Sequence, residues 1–175
     1  MAEKHLYIMH GECYRKGNGQ PYTRKQYIKG KPQIKITKFQ SGSTDRLQNY
    51  DYSVQLLINE RLQITHVAIE STRLAANKTL EKTTGASGYF SKLRIYPHVL
   101  LRENKMIAAA GADRLQEGMR RAFGKAVSLA ARVKRGQCIM ELQVKKEHLE
   151  AAKKALKGAC VKLPGTPTIK VIPLN

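Results

Sequence analysis

The chain has 175 residues, 32 of them Lys or Arg against 13 Asp or Glu, for a formal net charge of +19. That length fits one domain able to bury a core, and so basic a protein repels itself when alone, which points to a polyanion as partner. Membranes are a poor second choice of polyanion: no apolar run approaches the roughly 18–20 residues of a spanning helix, and the start, MAEKHLYIMHGECYRK, lacks the apolar core of a secretory signal.

The charge is unevenly placed. Residues 1–38 hold nine Lys or Arg and two acids, 39–101 hold seven and five, and 102–135 hold nine and three. A nearly balanced body with basic appendages is the expected organisation, within a single domain spanning 1–175. The first appendage, at about 1–38, mixes Tyr14, Tyr22 and Tyr27 with Arg24, Lys25, Lys29 and Lys31. Recurrent glycine and proline argue against a long helix, so it reads as an extended arm running into a short strand near Ile34–Phe39. Cations interleaved with rings suit RNA, although single tyrosines could equally pack the arm onto the body.

YSVQLLINERLQITHVAI is rich in β-branched residues and leucine with a polar break at Asn59-Glu60, and reads as two short paired strands. A helix follows, with Ile69, Arg73, Ala76 and Leu80 on one face and Gly85 as terminator. YFSKLRIYPHVLLREN alternates through Phe90, Leu93, Ile95, Val99 and Leu101, giving a strand, a bend at Pro97 and a second strand. A long basic loop is expected at about 102–135, punctuated by Gly111, Gly118, Gly124 and Gly136. QCIMELQV is a strand alternating through Cys138, Met140, Leu142 and Val144. A second helix places Leu149, Ala152, Leu156 and Ala159 on one stripe with Gly158 as its C-terminal cap, and TIKVIP closes as a strand. The order predicts an α+β fold, a two-layer sandwich of a mixed or antiparallel sheet with two helices on one face.

No catalytic constellation emerges. GMRRAFGKA differs from a phosphate-binding loop in having five residues between Gly118 and Gly124 and Ala126 in place of the hydroxyl residue after Lys125. The histidines His5, His10, His66, His98 and His148 have no metal-ligand spacing, and Cys13, Cys138 and Cys160 are scattered without a C-x-x-C pair. The expectation is no enzyme, no metal and no cofactor. An RNA-acting enzyme with residues gathered from afar, or a general nucleic-acid-binding regulator, are the competing classes.

The segments PYTRKQYIKGKPQIKI, HVLLRENKM, AGADRLQEGMRRAFGK, ARVKRGQCIMEL and LPGTPTIKV, spread from about Pro21 to Val171, resemble the large-subunit ribosomal protein family of the L-sixteen/L-ten-e type in its archaeal form. The resemblance implies an α+β protein of the cytoplasmic ribosome that binds large-subunit rRNA at the base of the central protuberance, beside neighbouring large-subunit proteins. It also implies a loop, matched to about Arg102–Arg135, that is mobile off the ribosome and points toward the aminoacyl-site tRNA and the peptidyl-transferase region. Arginine can fork two donors onto phosphate or stack on a base. On pattern and resemblance together, the expected RNA contacts are Arg24, Lys25 and Lys29 on the arm, and Arg102, Lys105, Arg114, Arg120, Arg121, Lys125, Arg132 and Lys134 on the loop.

Overall fold

The computed structural model describes residues 23–43, 50–104, 118–120 and 122–174. Tyr14, Tyr22, Lys105, Gly111, Arg114 and Arg121, and most of the expected arm, lie outside these residues.

Among the described residues, eight strands and two long helices follow in the order β1 (Gln40–Gly42), β2 (Tyr52–Ile58), β3 (Leu62–Thr65), α1 (His66–Thr84), β4 (Tyr89–Leu93), β5 (Val99–Glu103), β6 (Lys125–Val133), β7 (Gln137–Val144), α2 (Leu149–Cys160) and β8 (Pro167–Pro173). All described strand pairs are antiparallel, and they divide into a five-stranded sheet, β1-β4-β7-β2-β8, and a three-stranded sheet, β3-β6-β5. The α+β class is as expected; the single sheet is in fact two.

The division corrects the reading of Asn59-Glu60 as a hairpin break. β2 pairs with β7 and β8, whereas β3 pairs with β6. The break is a corner at which the chain leaves one sheet for the other. The turn at Lys134–Gly136 does the same for β6 and β7, and the Gly136 amide donates to the Ile58 carbonyl at 2.7 Å, tying the two corners together.

The core lies between the five-stranded sheet and the helices. Val54, Leu56 and Ile58 of β2 share a face with Met140, Leu142 and Val144 of β7, and all are fully buried against Ile69, Ala76 and Leu80 of α1 and Ala152, Leu156 and Ala159 of α2. The helical stripe read from the first helix is the buried one, Arg73 included. Thr65 caps α1 by accepting the Ala68 amide at 3.3 Å, and Gly85 ends it at φ +74. Gly158 does not cap α2, which continues to Cys160. In β4 the buried phase is Tyr89, Ser91 and Leu93, with Phe90 only half-buried.

Two acids, Glu141 buried and Glu70 partly so, balance arginines in this body. Arg73 donates to both Glu70 oxygens (3.0 and 2.6 Å), to Thr37 Oγ1 (2.9 Å) and to Ser41 Oγ (3.3 Å), fastening residues 37–41 to α1. Glu141 accepts Ser53 Oγ at 2.9 Å and Arg94 Nε at 2.6 Å on the sheet face away from the helices. The Arg73 hydrogen bonds hold the Glu70 carboxyl below its ordinary range. For Glu141 burial pushes upward, and the bonds from Arg94, Ser53 and Gln143 outweigh it to leave the pKa lowered.

The expected strand near Ile34–Phe39 does not form. That stretch is irregular, plugged into the core by Ile36, and the strand begins only at Gln40. The expected loop at 102–135 is also shorter within the described residues. β5 reaches Glu103, and Lys125–Val133 is β6, paired with both β3 and β5.

Candidate nucleic-acid interface

The end of the β5–β6 pair is where the arm meets the loop. Residues 23–25 lie along β5: the Leu100 amide donates to the Thr23 carbonyl at 3.1 Å, Arg24 bridges Val99, and the Lys25 amide donates to the His98 carbonyl at 3.3 Å. A single 3₁₀ turn, Lys25–Tyr27, then redirects the chain. Between this turn and the strand pair is an open cleft of about 640 Å³, lined by Tyr27, Ile28, Lys29, Gly30, Arg102, Gly124, Lys125 and Ala126. Lys29, Arg102 and Lys125 thus come from three separate stretches of sequence to one place.

Arg102 is fixed there. Its Nε and Nη2 both donate to the Gly124 carbonyl, at 3.1 and 2.9 Å, and its guanidinium lies 5.8 Å from the centroid of the Phe123 ring. Gly124 has φ +67, and a Cβ there would sit 2.1 Å from the Glu103 carbonyl and 2.3 Å from the Asn104 nitrogen. Only glycine lets the chain close so tightly onto β5. Asn104 Nδ2 donates to the Gly118 carbonyl at 3.1 Å, a second tie across the loop's base.

Lys25 has a protein partner too. Its ammonium donates to the Tyr96 hydroxyl at 3.1 Å and lies 5.2 Å from the Tyr96 ring centroid, while that ring stacks on Phe39 at 5.6 Å. Tyr96, Phe123 and Met119, all exposed, are features of this surface that periodicity does not reveal, while Phe39 packs partly against the core. A scan for apolar spacing assigns such rings to the core. The available signal is Pro97, which holds Tyr96 extended and out of the strand's alternation.

The other expected contacts are dispersed. Arg24 and Arg120 are exposed. Arg132 is half-buried in β6 opposite Gln63 of β3, and Lys134 is exposed in the corner turn. A nine-residue strand separates Lys134 from the cleft, about 30 Å at ordinary strand rise. The structure therefore unites Lys29, Arg102 and Lys125 but not Arg132 or Lys134 with them. Lys105, Arg114 and Arg121 fall outside the described residues.

Nothing in this surface suggests bond-making chemistry. Among the described residues no group of three or more His, Cys, Asp or Glu could hold a metal ion, and no helix is long and apolar enough to cross a membrane. The Cys138 thiol is pushed up to about 11, by burial first and the Glu141 charge second, so it is not a thiolate at neutral pH.

Comparison with known proteins agrees with this reading. Residues 17–170 match the family model described as ribosomal protein L16p/L10e. The large ribosomal subunit protein uL16 of Hyperthermus butylicus is 53% identical over 168 residues, covering 93% of this chain and 92% of that protein. The protein of the same name from Staphylothermus marinus is 52% identical, covering 93% and 92%, and that from Saccharolobus solfataricus is 52% identical, covering 94% and 93%. A family match over nearly the whole chain, joined to an α+β body on which Lys29, Arg102 and Lys125 line one cleft, leads to one conclusion: this chain belongs to the L16p/L10e family of ribosomal proteins.

Proposed function

We propose that this chain, a non-catalytic structural constituent of the large ribosomal subunit, binds large-subunit rRNA near the base of the central protuberance and helps shape the aminoacyl-tRNA site. The arm and the β5–β6 end grip the phosphate backbone, and the segment between Glu103 and Lys125 is directed toward tRNA and the peptidyl-transferase region. The RNA-contacting cations are Arg24, Lys25, Lys29, Arg102, Lys105, Arg114, Arg120, Arg121, Lys125, Arg132 and Lys134. Other proteins of the subunit are its neighbours, on cytoplasmic ribosomes.

The observation that carries this reading is the cleft: Lys29, Arg102 and Lys125 converge on it, and among the described residues its lining contains no acid. Arg102 is held rigidly by Gly124 and Phe123, so little side-chain entropy remains to be lost on meeting a phosphate. The test is sedimentation of a lysate through a sucrose gradient at low and moderate salt, followed by rebinding of the purified chain to large subunits stripped of it. Co-migration with large subunits is expected, with rebinding affinity falling as a steep power of salt concentration, a slope of roughly −0.7 to −0.9 per phosphate neutralised. Affinity that hardly changes with salt, or a chain found free or on DNA, would overturn the proposal.

A further inference from the structure

We infer that the cleft between the arm and the β5–β6 end seats one unpaired nucleotide of the rRNA, its base against the face of Tyr27 and its phosphate between Lys29 and Lys125. The inference rests on the rRNA-binding reading above and adds what this cleft takes.

The first observation is the display of Tyr27. Its side chain is 72% exposed, yet its backbone is pinned, with the Tyr27 amide donating to the Arg24 carbonyl at 3.2 Å and the neighbouring Lys25 amide donating to His98. A large ring held in water from a fixed turn is a preformed stacking platform. The second observation is the space beside it. About 640 Å³ lies within the range that encloses a small molecule, roughly 300–1,000 Å³. A duplex keeps its bases inside and meets a surface through its backbone, so a ring beside an open cleft serves a base only when that base is unstacked.

The lining decides the class of ligand. Among the described residues it offers a ring, the apolar Ile28 and Ala126, and the cations Lys29, Arg102 and Lys125, with no carboxylate and no side-chain amide. Glu103 is the cross-strand partner of Lys125 but is not part of the lining. An anionic group with a flat apolar face fits; a cationic ligand does not. Stacking on Tyr27 holds a base by its face, a mode of recognition that tolerates any of the four bases.

The test uses the full chain rebinding to large subunits stripped of it, comparing Tyr27→Ala, Tyr27→Phe and Lys29→Ala. Tyr27→Ala is expected to weaken rebinding by about fivefold or more, with no change in the salt slope, because no charge is lost. Tyr27→Phe keeps the stacking face and should rebind like the parent. Lys29→Ala should reduce the salt slope by about one. Adenosine monophosphate, as a free-nucleotide probe, should compete only weakly. The inference is overturned if Tyr27→Ala rebinds like the parent, if Tyr27→Phe loses as much as Tyr27→Ala, or if the free mononucleotide binds tightly without RNA. Those results leave a steep parental salt slope intact; a flat parental slope would instead bring down the rRNA-binding reading itself.

Discussion

Gly124→Ala should destabilise the β5–β6 end far more than Gly118→Ala, although both glycines sit at positive φ in the same stretch of chain. Gly118 has φ +57 and open space where a Cβ would go. Alanine there meets only the left-handed backbone penalty, about 1–2 kcal/mol. Gly124 has φ +67, and a Cβ would lie 2.1 Å from the carbon and oxygen of Glu103 and 2.3 Å from the Asn104 nitrogen. Those atoms are main chain, so relief requires moving one strand away from the other. Overpacking of this kind costs about 1–3 kcal/mol more, for a total of about 2–5 kcal/mol. The Gly124 carbonyl also receives both Arg102 bonds, so the shift should release the guanidinium as well. The assay is denaturant unfolding of both variants beside amide hydrogen exchange of Arg102, Lys125 and Ala126. The expected result is a clear loss of protection at those amides in Gly124→Ala alone. Equal stability and equal exchange in the two variants would refute the reasoning.

Other substitutions probe separate parts of the molecule. Leu142→Ala, fully buried at the centre of the sheet–helix core, should lower unfolding stability by about 2–5 kcal/mol, and a loss under 1 kcal/mol by denaturant titration would remove β7 from the core. Arg120→Ala, at an exposed position, should move unfolding by no more than about 0.5 kcal/mol while weakening rebinding to stripped large subunits; a large fall in melting temperature would contradict its placement on the surface. His66 accepts the Lys35 amide on Nδ1 at 3.4 Å, and burial first, then the Lys35 charge, lowers its pKa from 6.5. The unfolded chain therefore binds this proton more readily, so the imidazole's contribution is complete above about 6.5 and declines as pH falls through the lowered folded value. His66→Asn should flatten that part of the stability–pH profile, and superimposable profile shapes for the two proteins would exclude His66 as its source.

The sequence disclosed elements whose pattern matches their burial and missed those whose neighbours disguise them. α1 was readable because Ile69, Arg73, Ala76 and Leu80 repeat at helical spacing and all four are buried. β4 and β5 were readable because Pro97 separates two alternating runs, although Tyr89 rather than Phe90 takes the inward position. Tyr89 can do so because its hydroxyl donates to Glu81 Oε1 at 3.2 Å, and burial followed by the Glu81 charge pushes its pKa up to about 12. β6 was read as loop because KAVSLAARV is rich in alanine, a weak strand former, and has a glycine-broken basic stretch on one side and Lys134-Arg135 on the other. Its Leu129, Ala130, Ala131 and Val133 are nevertheless buried. The candidate site was legible as a list of cations but not as a place. Lys29, Arg102 and Lys125 meet only because residues 23–25 run along β5, a long-range pairing that no local pattern encodes.

The disposition of the acids explains how a chain of formal charge +19 keeps a folded body. Glu70 is bonded to Arg73 and Glu141 to Arg94, both inside or at the edge of the core. Asp51 accepts the Lys146 amide at 2.9 Å before α2, Glu60 accepts the Thr166 hydroxyl at 2.7 Å beside β8, and Glu81 accepts Tyr89. These carboxylates are used to join elements of the body, and none of them lines the cleft. These carboxylates serve the fold, while Lys29, Arg102 and Lys125 give the cleft a positive lining, with Glu103 beside it as the cross-strand partner of Lys125. Screening acts on the two regions differently: added salt relieves repulsion among exposed cations and weakens their attraction to phosphate, yet reaches the partly buried Glu70–Arg73 pair much less. A protein arranged in this manner is least comfortable alone at low salt, and the condition that makes it so is the one under which it binds RNA most tightly.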